Sequence, residues 1–368
     1  MTNSIAKQSQ ANIFDLLRLA KEKKASDLHL VAGSPPILRI DGSLGSIDEM
    51  APLSVEEISE AFVQLSTPEQ REEFQHTLEL DFGYSLAGVG RLRCNVAQQR
   101  GALSFAIRLL PAEIPTIDEL ELPQVCKELA LKPRGLVIIS GPTGSGKSTT
   151  LAAMIHHINI NRTCRVVTIE DPIEYNHPNI NSVITQRELG NDTLSFAAAL
   201  KHVLRQDPDI ILIGEMRDLE TAAAALTVAE TGHLVLTTGH APSAPQAIER
   251  VVDLFPPYER SLAQARLASL VIGVLCQTLV PHADAPGRIA AVEIMLGNPA
   301  VKNIIREGKI YQLPNIIRTS SQEGMITLDQ SLINLHHKGI ISRESVVEFC
   351  QNSDEVEKTI GKTSSPAR

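Results

Sequence analysis

The residues best placed to do chemistry are those of the stretch GPTGSGKST, which runs from 141 to 149 directly after the apolar run GLVIIS. It satisfies the pattern G-x-x-x-x-G-K-[ST] and lies between a predicted strand and a predicted helix, as a phosphate-binding loop requires. Its backbone N–H groups surround phosphate oxygens, Lys147 reaches the β and γ phosphates, and the Ser148 hydroxyl binds Mg²⁺. The predicted nucleotide-binding residues are Pro142, Thr143, Gly144, Ser145, Gly146, Lys147, Ser148 and Thr149.

An acidic segment after the loop supplies candidate metal ligands. TIEDPIE places Glu170, Asp171 and Glu174 at the end of a predicted buried strand. Ligands of open α/β sheets bind at this carboxyl edge, so we expect Ser148, Glu170 and Asp171 to hold Mg²⁺, partly through the waters that this ion retains. The alternative for Glu170 and Asp171 is a solvated turn before a proline.

A second buried strand, DIILIGE, ends in Glu215. Gly214 stands where many related strands of ATPases carry a metal-binding aspartate, so Glu215 is the predicted general base that polarises the attacking water. The alternative is structural, an ion pair between Glu215 and Arg217.

Two histidines, His233 and His240, lie in TGHLVLTTGH on a further predicted strand. Seven residues apart on one strand, they would point to opposite faces, which excludes a simple two-histidine metal site. Lone histidines are usually structural, but one of these two is expected to reach the γ phosphate from the end of the strand.

The elements that position these residues follow from hydrophobic patterning. From Gly135 onward, buried apolar runs alternate with helical stretches, which predicts a mostly parallel sheet. The last hundred residues are interpreted as a helical appendage. Before the loop, short alternating stretches predict an antiparallel meander, and capping boxes beginning at Ser54 and Thr67 predict two helices. A proline-rich passage from Pro111 to Pro123 is interpreted as an interdomain linker.

Composition argues against several classes of function. The formal net charge of -9, the pI of about 5.7 and the 3% of aromatic residues disfavour direct binding of nucleic acid. The five cysteines are scattered and form no zinc or redox motif. The longest hydrophobic stretch, LASLVIGVLC, is shorter than the roughly 20 residues that span a bilayer. The N-terminus has no apolar signal segment. We therefore expect a cytoplasmic protein that meets a membrane only through a partner.

The ordered series GPTGSGKST, TIEDPIE, ILIGEMRD and TGHLVLTTGH resembles the Walker A, Asp box, atypical Walker B and His box of the secretion ATPase superfamily. Within it, ASDLHL, GEMRDLET and the tail from GRIAAVEIML to KGIISRE are most similar to the pilus retraction ATPases of the PilT type. The resemblance covers nearly the whole chain. Assembly and type II secretion relatives typically carry a four-cysteine zinc insertion and a longer N-terminal region, and their absence favours retraction.

The resemblance implies an α/β fold with a RecA-like P-loop ATPase core, a smaller α+β PAS-like N-terminal domain and a helical C-terminal appendage. The expected boundaries are 1–112 for the PAS-like domain, 113–134 for a linker, 135–355 for the ATPase domain and 356–368 for a flexible tail. It also implies a homohexamer that clamps ATP between its two domains and acts on an inner-membrane pilus platform protein. Arg91, Arg93 and Arg108 match the arginines of the family that approach the phosphates.

Two stretches depart from the family pattern. The T-L-H-T of the His box is Thr238-Gly239-His240-Ala241 here, and the tail motif A-I-R-N-L-I-R-E is AVKNIIRE, in which Lys302 replaces an arginine and loses its bidentate geometry. Three other functions remain open: a pilus assembly or type II secretion ATPase, a RecA-like nucleic-acid translocase, and a ring component that binds nucleotide without hydrolysing it.

Overall fold

The fold, seen in a computed structural model that describes residues 12–40, 42–47, 50–110 and 113–361, consists of two compact units. The first unit comprises Met1–Glu113 and Pro172–Asn176, and the second comprises Ile114–Asp171 and His177–Arg368. Each unit contains one sheet, so the α/β class expected from the sequence is confirmed. Within the described ranges, no helix combines the length and apolar character that crossing a membrane demands.

The first unit has a six-stranded antiparallel sheet with three helices. Its helices are α1 (Ile13–Glu22), α2 (Val55–Leu65) and α3 (Pro68–Thr77), and its strands are β1 (Asp27–Val31), β2 (Ile37–Ile40), β3 (Ser43–Ser46), β4 (Glu79–Leu86), β5 (Gly90–Gln99) and β6 (Ala102–Leu109). The capping boxes at Ser54 and Thr67 are formed, and they begin α2 and α3 as predicted.

The strand order of this sheet, β3-β2-β1-β6-β5-β4, corrects the expectation of a simple meander. The sheet consists of two meanders, β1-β2-β3 and β4-β5-β6, which are joined where β1 pairs with β6. Local patterning does not reveal this pairing, because the two strands are far apart in the sequence. Alternate residues such as Leu28, Leu92 and Ile107 are fully buried in the core of this unit. The polar residues between them lie on the opposite face of the sheet.

The second unit has a seven-stranded sheet flanked by helices. Its strands are β7 (Gly135–Ser140), β8 (Arg165–Glu170), β9 (Val183–Glu188), β10 (Ile210–Ile213), β11 (Leu234–Thr238), β12 (Val271–Pro281) and β13 (Arg288–Leu296). Its helices are α4 (Val125–Ala130), α5 (Lys147–Asn161), α6 (Phe196–Val203), α7 (Leu219–Glu230), α8 (Ala244–Asp253), α9 (Arg260–Leu270), α10 (Pro299–Arg306), α11 (Leu313–Thr319), α12 (Leu328–His337), α13 (Arg343–Phe349) and α14 (Ser353–Ile360).

The strands of this sheet lie in the order β13-β12-β7-β11-β10-β8-β9, and all neighbours are parallel except β12 and β13. The predicted parallel core is confirmed. Because β7, β11, β10 and β8 are consecutive neighbours, their carboxyl ends meet at one edge. Fully buried apolar side chains cover both faces of these strands, so the sheet lies between two layers of helices.

Three expectations for the rest of the chain need correction. The last hundred residues begin with the antiparallel pair β12–β13, which belongs to the main sheet; its buried strands lack the alternation that identifies a strand. The expected linker 113–134 contains α4, whose Cys126 and Leu129 are buried in the core of the second unit. In the expected tail, Val356 and Ile360 are buried on α14. Residues 362–368 of that tail, and 1–11 at the other terminus, lie outside the described residues.

Candidate nucleotide site

The phosphate loop connects β7 to α5 at the carboxyl edge of the second sheet. Gly141, Gly144 and Gly146 all have positive φ angles, of 141°, 76° and 87°. A left-handed backbone of this kind turns consecutive N–H groups toward one concave side, and the helix that begins at Lys147 adds its positive end. The exposed part of the loop is Pro142, Thr143 and Gly144, while Ser148 and Thr149 are half-buried in the first turn of α5.

Lys147 is buried and folded back over the loop. Its Nζ atom donates hydrogen bonds to the carbonyl oxygens of Gly141, at 2.8 Å, and Pro142, at 2.9 Å. The ammonium group is thereby held over the loop that would receive the phosphates, and carbonyl partners offset part of the cost of burying its charge.

The underside of the loop rests on β12. The side chain of Gln277 is buried, donates to the carbonyl oxygen of Ser145 at 2.6 Å and accepts from the hydroxyl of Thr150 on α5 at 3.0 Å. The backbones of the loop and of β12 also lie close together, because a Cβ atom on Gly141 would be 2.3 Å from the carbonyl oxygen of Gln277. Only glycine fits position 141.

Glu215 lies just beyond β10 and is 9% exposed. One carboxylate oxygen contacts Nε of Arg217, and the other lies 3.3 Å from Nε2 of His240. The ion pair with Arg217 that the sequence offered as an alternative therefore exists. The same carboxylate also contacts the predicted His-box residue, so the geometry brings the candidate base and the candidate phosphate sensor together.

Glu170 ends β8, next to β10 in the sheet. Its Oε1 atom accepts hydrogen bonds from the Thr168 hydroxyl, at 2.6 Å, and from Nε2 of Gln186 on β9, at 3.1 Å. A Cβ atom on Gly214 would lie 3.3 Å from Cα of Glu170, tighter than most such contacts. The absence of a side chain at 214 thus leaves room for the backbone of Glu170 at this edge.

The other predicted carboxylates are placed differently. Asp171 directly follows Glu170 and is exposed. Glu174 belongs to the segment Pro172–Asn176, which is grouped with the first unit. In the described ranges, no three His, Cys, Asp or Glu side chains converge as a metal site. The described residues therefore offer no metal site built from these side chains alone.

The interpretation of the two histidines also needs correction. His233 precedes β11 and His240 follows it, because the strand covers only Leu234–Thr238, so the argument about opposite strand faces does not apply. His233 is anchored away from the edge, with Nδ1 3.1 Å from the carbonyl oxygen of Val228. His240 lies at the carboxyl end beside Glu215, as the sequence pattern requires of a residue that senses phosphate.

The three predicted arginines lie in the first unit, on the sheet face opposite its core. Arg93 and Arg108 are directly paired across β5 and β6, and Arg108 is paired with Asp27 of β1. Nε of Arg108 donates to Asp27 at 2.9 Å, and Nε of Arg93 lies 3.8 Å from Asp81. Arg91 donates to the Ser85 hydroxyl at 3.3 Å. Both Arg93 and Arg108 are exposed.

Asp27 orients Arg108. Burial by itself would raise its pKa, but hydrogen bonds from the Ser26 hydroxyl and from Arg108, together with the charge of Arg108, hold the pKa below its ordinary value. The carboxylate is therefore ionised at neutral pH and fixes the guanidinium of Arg108 in place.

Sequence reasoning missed the polar residues that support the site. Gln186 bridges two elements, because its Oε1 atom accepts from the backbone N–H of His177 at 2.8 Å while its amide donates to Glu170. Burial lowers the pKa of His177 to about 4, and the charge of His156 contributes, so this histidine is neutral at physiological pH. The Thr238 hydroxyl donates to the carbonyl oxygen of Gly214. Gln186 and His177 belong to no pattern that indicates chemistry, and the His-box pattern of Thr238 does not reveal this hydrogen bond.

Similarity to known proteins agrees with this geometry. The sequence profile described as "Type II/IV secretion system protein" matches residues 107–367. The chain is 45% identical to a protein of Pseudomonas aeruginosa named "Type IV pilus retractation ATPase PilT", covering 92% of this chain and 97% of that one. It is 41% identical to "Twitching motility protein" of Neisseria gonorrhoeae, covering 93% of this chain and 91% of that one.

Solved structures show the same likeness. The crystal structure titled "Pilus Retraction Motor PilT and Bound ADP" superposes with a TM-score of 0.88 at 40% identity, covering 95% of this chain and 99% of that one. The ATPase DotB of Legionella pneumophila superposes with a TM-score of 0.76 at 27% identity, covering 94% and 96%. The similarity therefore extends over both units of the chain.

Proposed function

The chain belongs to the family of type II/IV secretion system proteins, and from that premise we propose that it is a Mg²⁺-dependent ATPase that powers retraction of a type IV pilus. One observation carries the proposal: the phosphate loop, Glu215 and His240 meet at a single sheet edge in a chain that is 45% identical to a pilus retraction ATPase over 92% of its length. The bound ADP named for the PilT crystal structure supports a nucleotide at this loop.

In the proposed reaction, the loop amides and Lys147 bind the phosphates, and Glu215 accepts the proton of the attacking water. His240 contacts the γ phosphate from the other side of Glu215. Arg91, Arg93 and Arg108 stabilise the charge that develops on the transferred phosphoryl group. Glu174, in the segment Pro172–Asn176, is proposed as a further carboxylate of the catalytic machinery.

The residues at the edge fit Mg²⁺. The Ser148 hydroxyl and the carboxylates of Glu170 and Asp171 are hard oxygen donors, and this ion is usually held by one or two protein ligands, phosphate oxygens and several waters. A site without three converging protein ligands is therefore suitable. When bound, the metal would neutralise charge on the β and γ phosphates.

We propose that six copies form a ring at the cytoplasmic side of the inner membrane and act on a platform protein of the pilus machine, without binding nucleic acid directly. The formal net charge of -9 supports the last point, since it offers no positive field for a polyanion. A role in pilus assembly or type II secretion is the second candidate, because the chain is also 32% identical to "Type II secretion system protein E" of Xanthomonas campestris.

Deletion in the source cell, with complementation, tests the proposal. We expect the deletion strain to carry excess pili and to lose twitching, and the intact gene to restore both. Glu215→Gln should fail to restore twitching, because the variant binds ATP but loses about 100-fold or more of its turnover. Arg217→Gln removes the partner of the ion pair and keeps the carboxylate, so it should retain most of the turnover.

The opposite results are equally clear. Loss of surface pili on deletion would indicate assembly instead of retraction. Equal ATPase rates for Glu215→Gln and the unaltered protein would exclude Glu215 as the base. Equal losses in Glu215→Gln and Arg217→Gln would mean that the ion pair, rather than the carboxylate, is what matters.

A further inference from the structure

A buried amide on β12 lies directly beneath the phosphate loop, outside every motif of the sequence. Gln277 is 2% exposed, and both ends of its amide are engaged: Nε2 donates to the Ser145 carbonyl oxygen at 2.6 Å, and Oε1 accepts from the Thr150 hydroxyl at 3.0 Å. Thr150 is itself 2% exposed. Both side chains are shielded from bulk solvent, so the free energy of burying their polar atoms depends on these two hydrogen bonds.

The two hydrogen bonds fix which way the amide points. The Ser145 carbonyl can only accept, so the Nε2 end must face the loop, and Oε1 is left to accept from the Thr150 hydroxyl. A glutamate at 277 would keep the acceptor for Thr150 but lose the donor for Ser145. Gly146, the residue after Ser145, shows how closely the two segments fit, since a Cβ atom there would lie 3.2 Å from Nε2 of Gln277.

The orientation of the Ser145 peptide matters for binding phosphate. A phosphate loop works because its N–H groups point inward, which requires its carbonyl groups to point outward and find partners there. The carbonyl of Ser145 is directed outward and its partner is Gln277. Without a donor, this buried carbonyl would lack a hydrogen bond, and the peptide would gain by turning toward Lys147 or solvent.

We propose that Gln277 is a positioning residue of the nucleotide site: it holds the Ser145 peptide so that the loop is shaped for phosphate before nucleotide arrives. The proposal rests on the nucleotide-binding function proposed above. Thr150 acts through Gln277 by orienting its amide. Both residues act on affinity for the phosphates, because their hydrogen bonds go to the phosphate loop and to each other rather than to Glu215.

The test is ADP affinity, measured by calorimetry on the full-length protein. Gln277→Met keeps the shape and removes both hydrogen bonds, and Gln277→Glu removes only the donor. Both should weaken ADP binding about tenfold or more, the equivalent of one unsatisfied buried carbonyl. Thr150→Val should weaken it less. Combining Thr150→Val with Gln277→Met should be no worse than Gln277→Met alone, because the two residues share one contact.

A readout of catalysis separates positioning from general stability. In Gln277→Glu the KM for ATP should rise with the dissociation constant of ADP, while kcat at saturation changes by less than about threefold. Thr278→Val, at the next position of β12 on the other face of the sheet, is the matched control and should leave ADP affinity unchanged. Melting temperatures of the unliganded variants identify any that are merely unstable.

Two results would overturn the proposal: unaltered ADP affinity in folded Gln277→Met and Gln277→Glu, or equal weakening by the Thr278→Val control. Should Gln277→Met not fold, Gln277→Glu and Thr150→Val decide. Failure of the intact protein to bind ADP would refute the proposed function instead, so the two failures are distinguishable.

Discussion

At the scale of single residues, the arginines on one face of the first sheet allow a catalytic role to be distinguished from a general effect of positive charge. Arg39 on β2, Arg108 on β6 and Arg93 on β5 lie in one register with Asp27 on β1, which stands between Arg39 and Arg108. Arg39 and Arg108 both approach Asp27, at 3.9 and 2.9 Å. Arg93 and Arg108 match arginines that the family resemblance assigns to phosphate, as Arg91 does, whereas Arg39 does not.

We predict that Arg93→Gln and Arg108→Gln each lower kcat for ATP hydrolysis about 100-fold, since a guanidinium that neutralises developing charge contributes this much or more. Arg39→Gln removes the same charge from the same face and serves as the matched control, with kcat unchanged. The measurement is steady-state phosphate release at saturating ATP. A similar loss in all three variants would mean that the arginines act only through the net charge of the face.

Residue identity was predictable where a motif is local. The loop 141–149, Glu170, Glu215 and His240 are found at the sheet edge because each follows a buried strand directly, and parallel neighbours bring such ends together. Gln277 was not predictable, because it is 132 residues from Ser145, and a glutamine in an apolar run looks like any other strand residue. Its importance comes from the tertiary fold alone.

At the scale of elements, the β12–β13 hairpin connects parts of the second unit that are distant in sequence. Glu293 on β13 pairs with Cys276, the neighbour of Gln277. Its carboxylate accepts from the N–H of Ala244 at 2.6 Å, at the start of α8, and from the N–H of Leu328 at the start of α12. One buried carboxylate therefore joins the segment after His240 to the C-terminal helices.

The same hairpin shows why patterning failed in the last hundred residues. Both of its strands are buried on both faces for most of their length, so apolar residues run on without alternation. A continuous apolar run of this length predicts a buried helix as readily as a strand. The helices that follow, from α10 onward, have one polar face each, and the helical interpretation of that part is confirmed.

Glu293 gives a pH prediction for this element. Burial raises its pKa above the ordinary 4.5, against the lowering effect of the two N–H donors, and the charge of Asp329 adds to the rise. The folded state then binds the proton more tightly than the unfolded state, so the contribution of Glu293 to stability is full below pH 4.5 and declines as the pH rises from there through the raised pKa.

Glu293→Gln removes the pH dependence of stability that comes from Glu293. The amide oxygen can still accept a hydrogen bond from the N–H group of one of the two helices. We expect the variant to be more stable than the unaltered protein at pH 8, by about 1.4 kcal/mol for each unit of the pKa rise, with the gain shrinking toward pH 4.5. Urea unfolding from pH 4.5 to 8 measures it, and exposed Glu348→Gln is the control. The stability difference between the variant and the unaltered protein could instead become less favourable to the variant from pH 5 to pH 8. That result would show that the N–H donors at the two helix N-termini stabilise the ionised carboxylate by more than burial destabilises it.

At the scale of the whole molecule, the proposed ring predicts how the ATPase rate depends on the proportion of inactive subunits, which a single isolated site cannot do. If subunits worked independently, mixing equal amounts of the unaltered protein and Glu215→Gln would halve the ATPase rate. If six subunits must act in turn, one inactive site impairs its ring. At equal mixing, only about one ring in 64 contains six unaltered subunits.

We therefore expect the rate of a co-assembled equal mixture to fall well below one half, approaching the level of Glu215→Gln alone as the fraction of variant rises. The variant is suitable because it keeps Lys147 and the loop, so that it binds ATP and occupies its place in the ring. Mixing the two proteins after each has assembled, without time for exchange, is the control and should give the simple average. A co-assembled mixture that also follows the average at every ratio would show that the sites fire independently, and the coupling of hydrolysis around a ring would have to be abandoned.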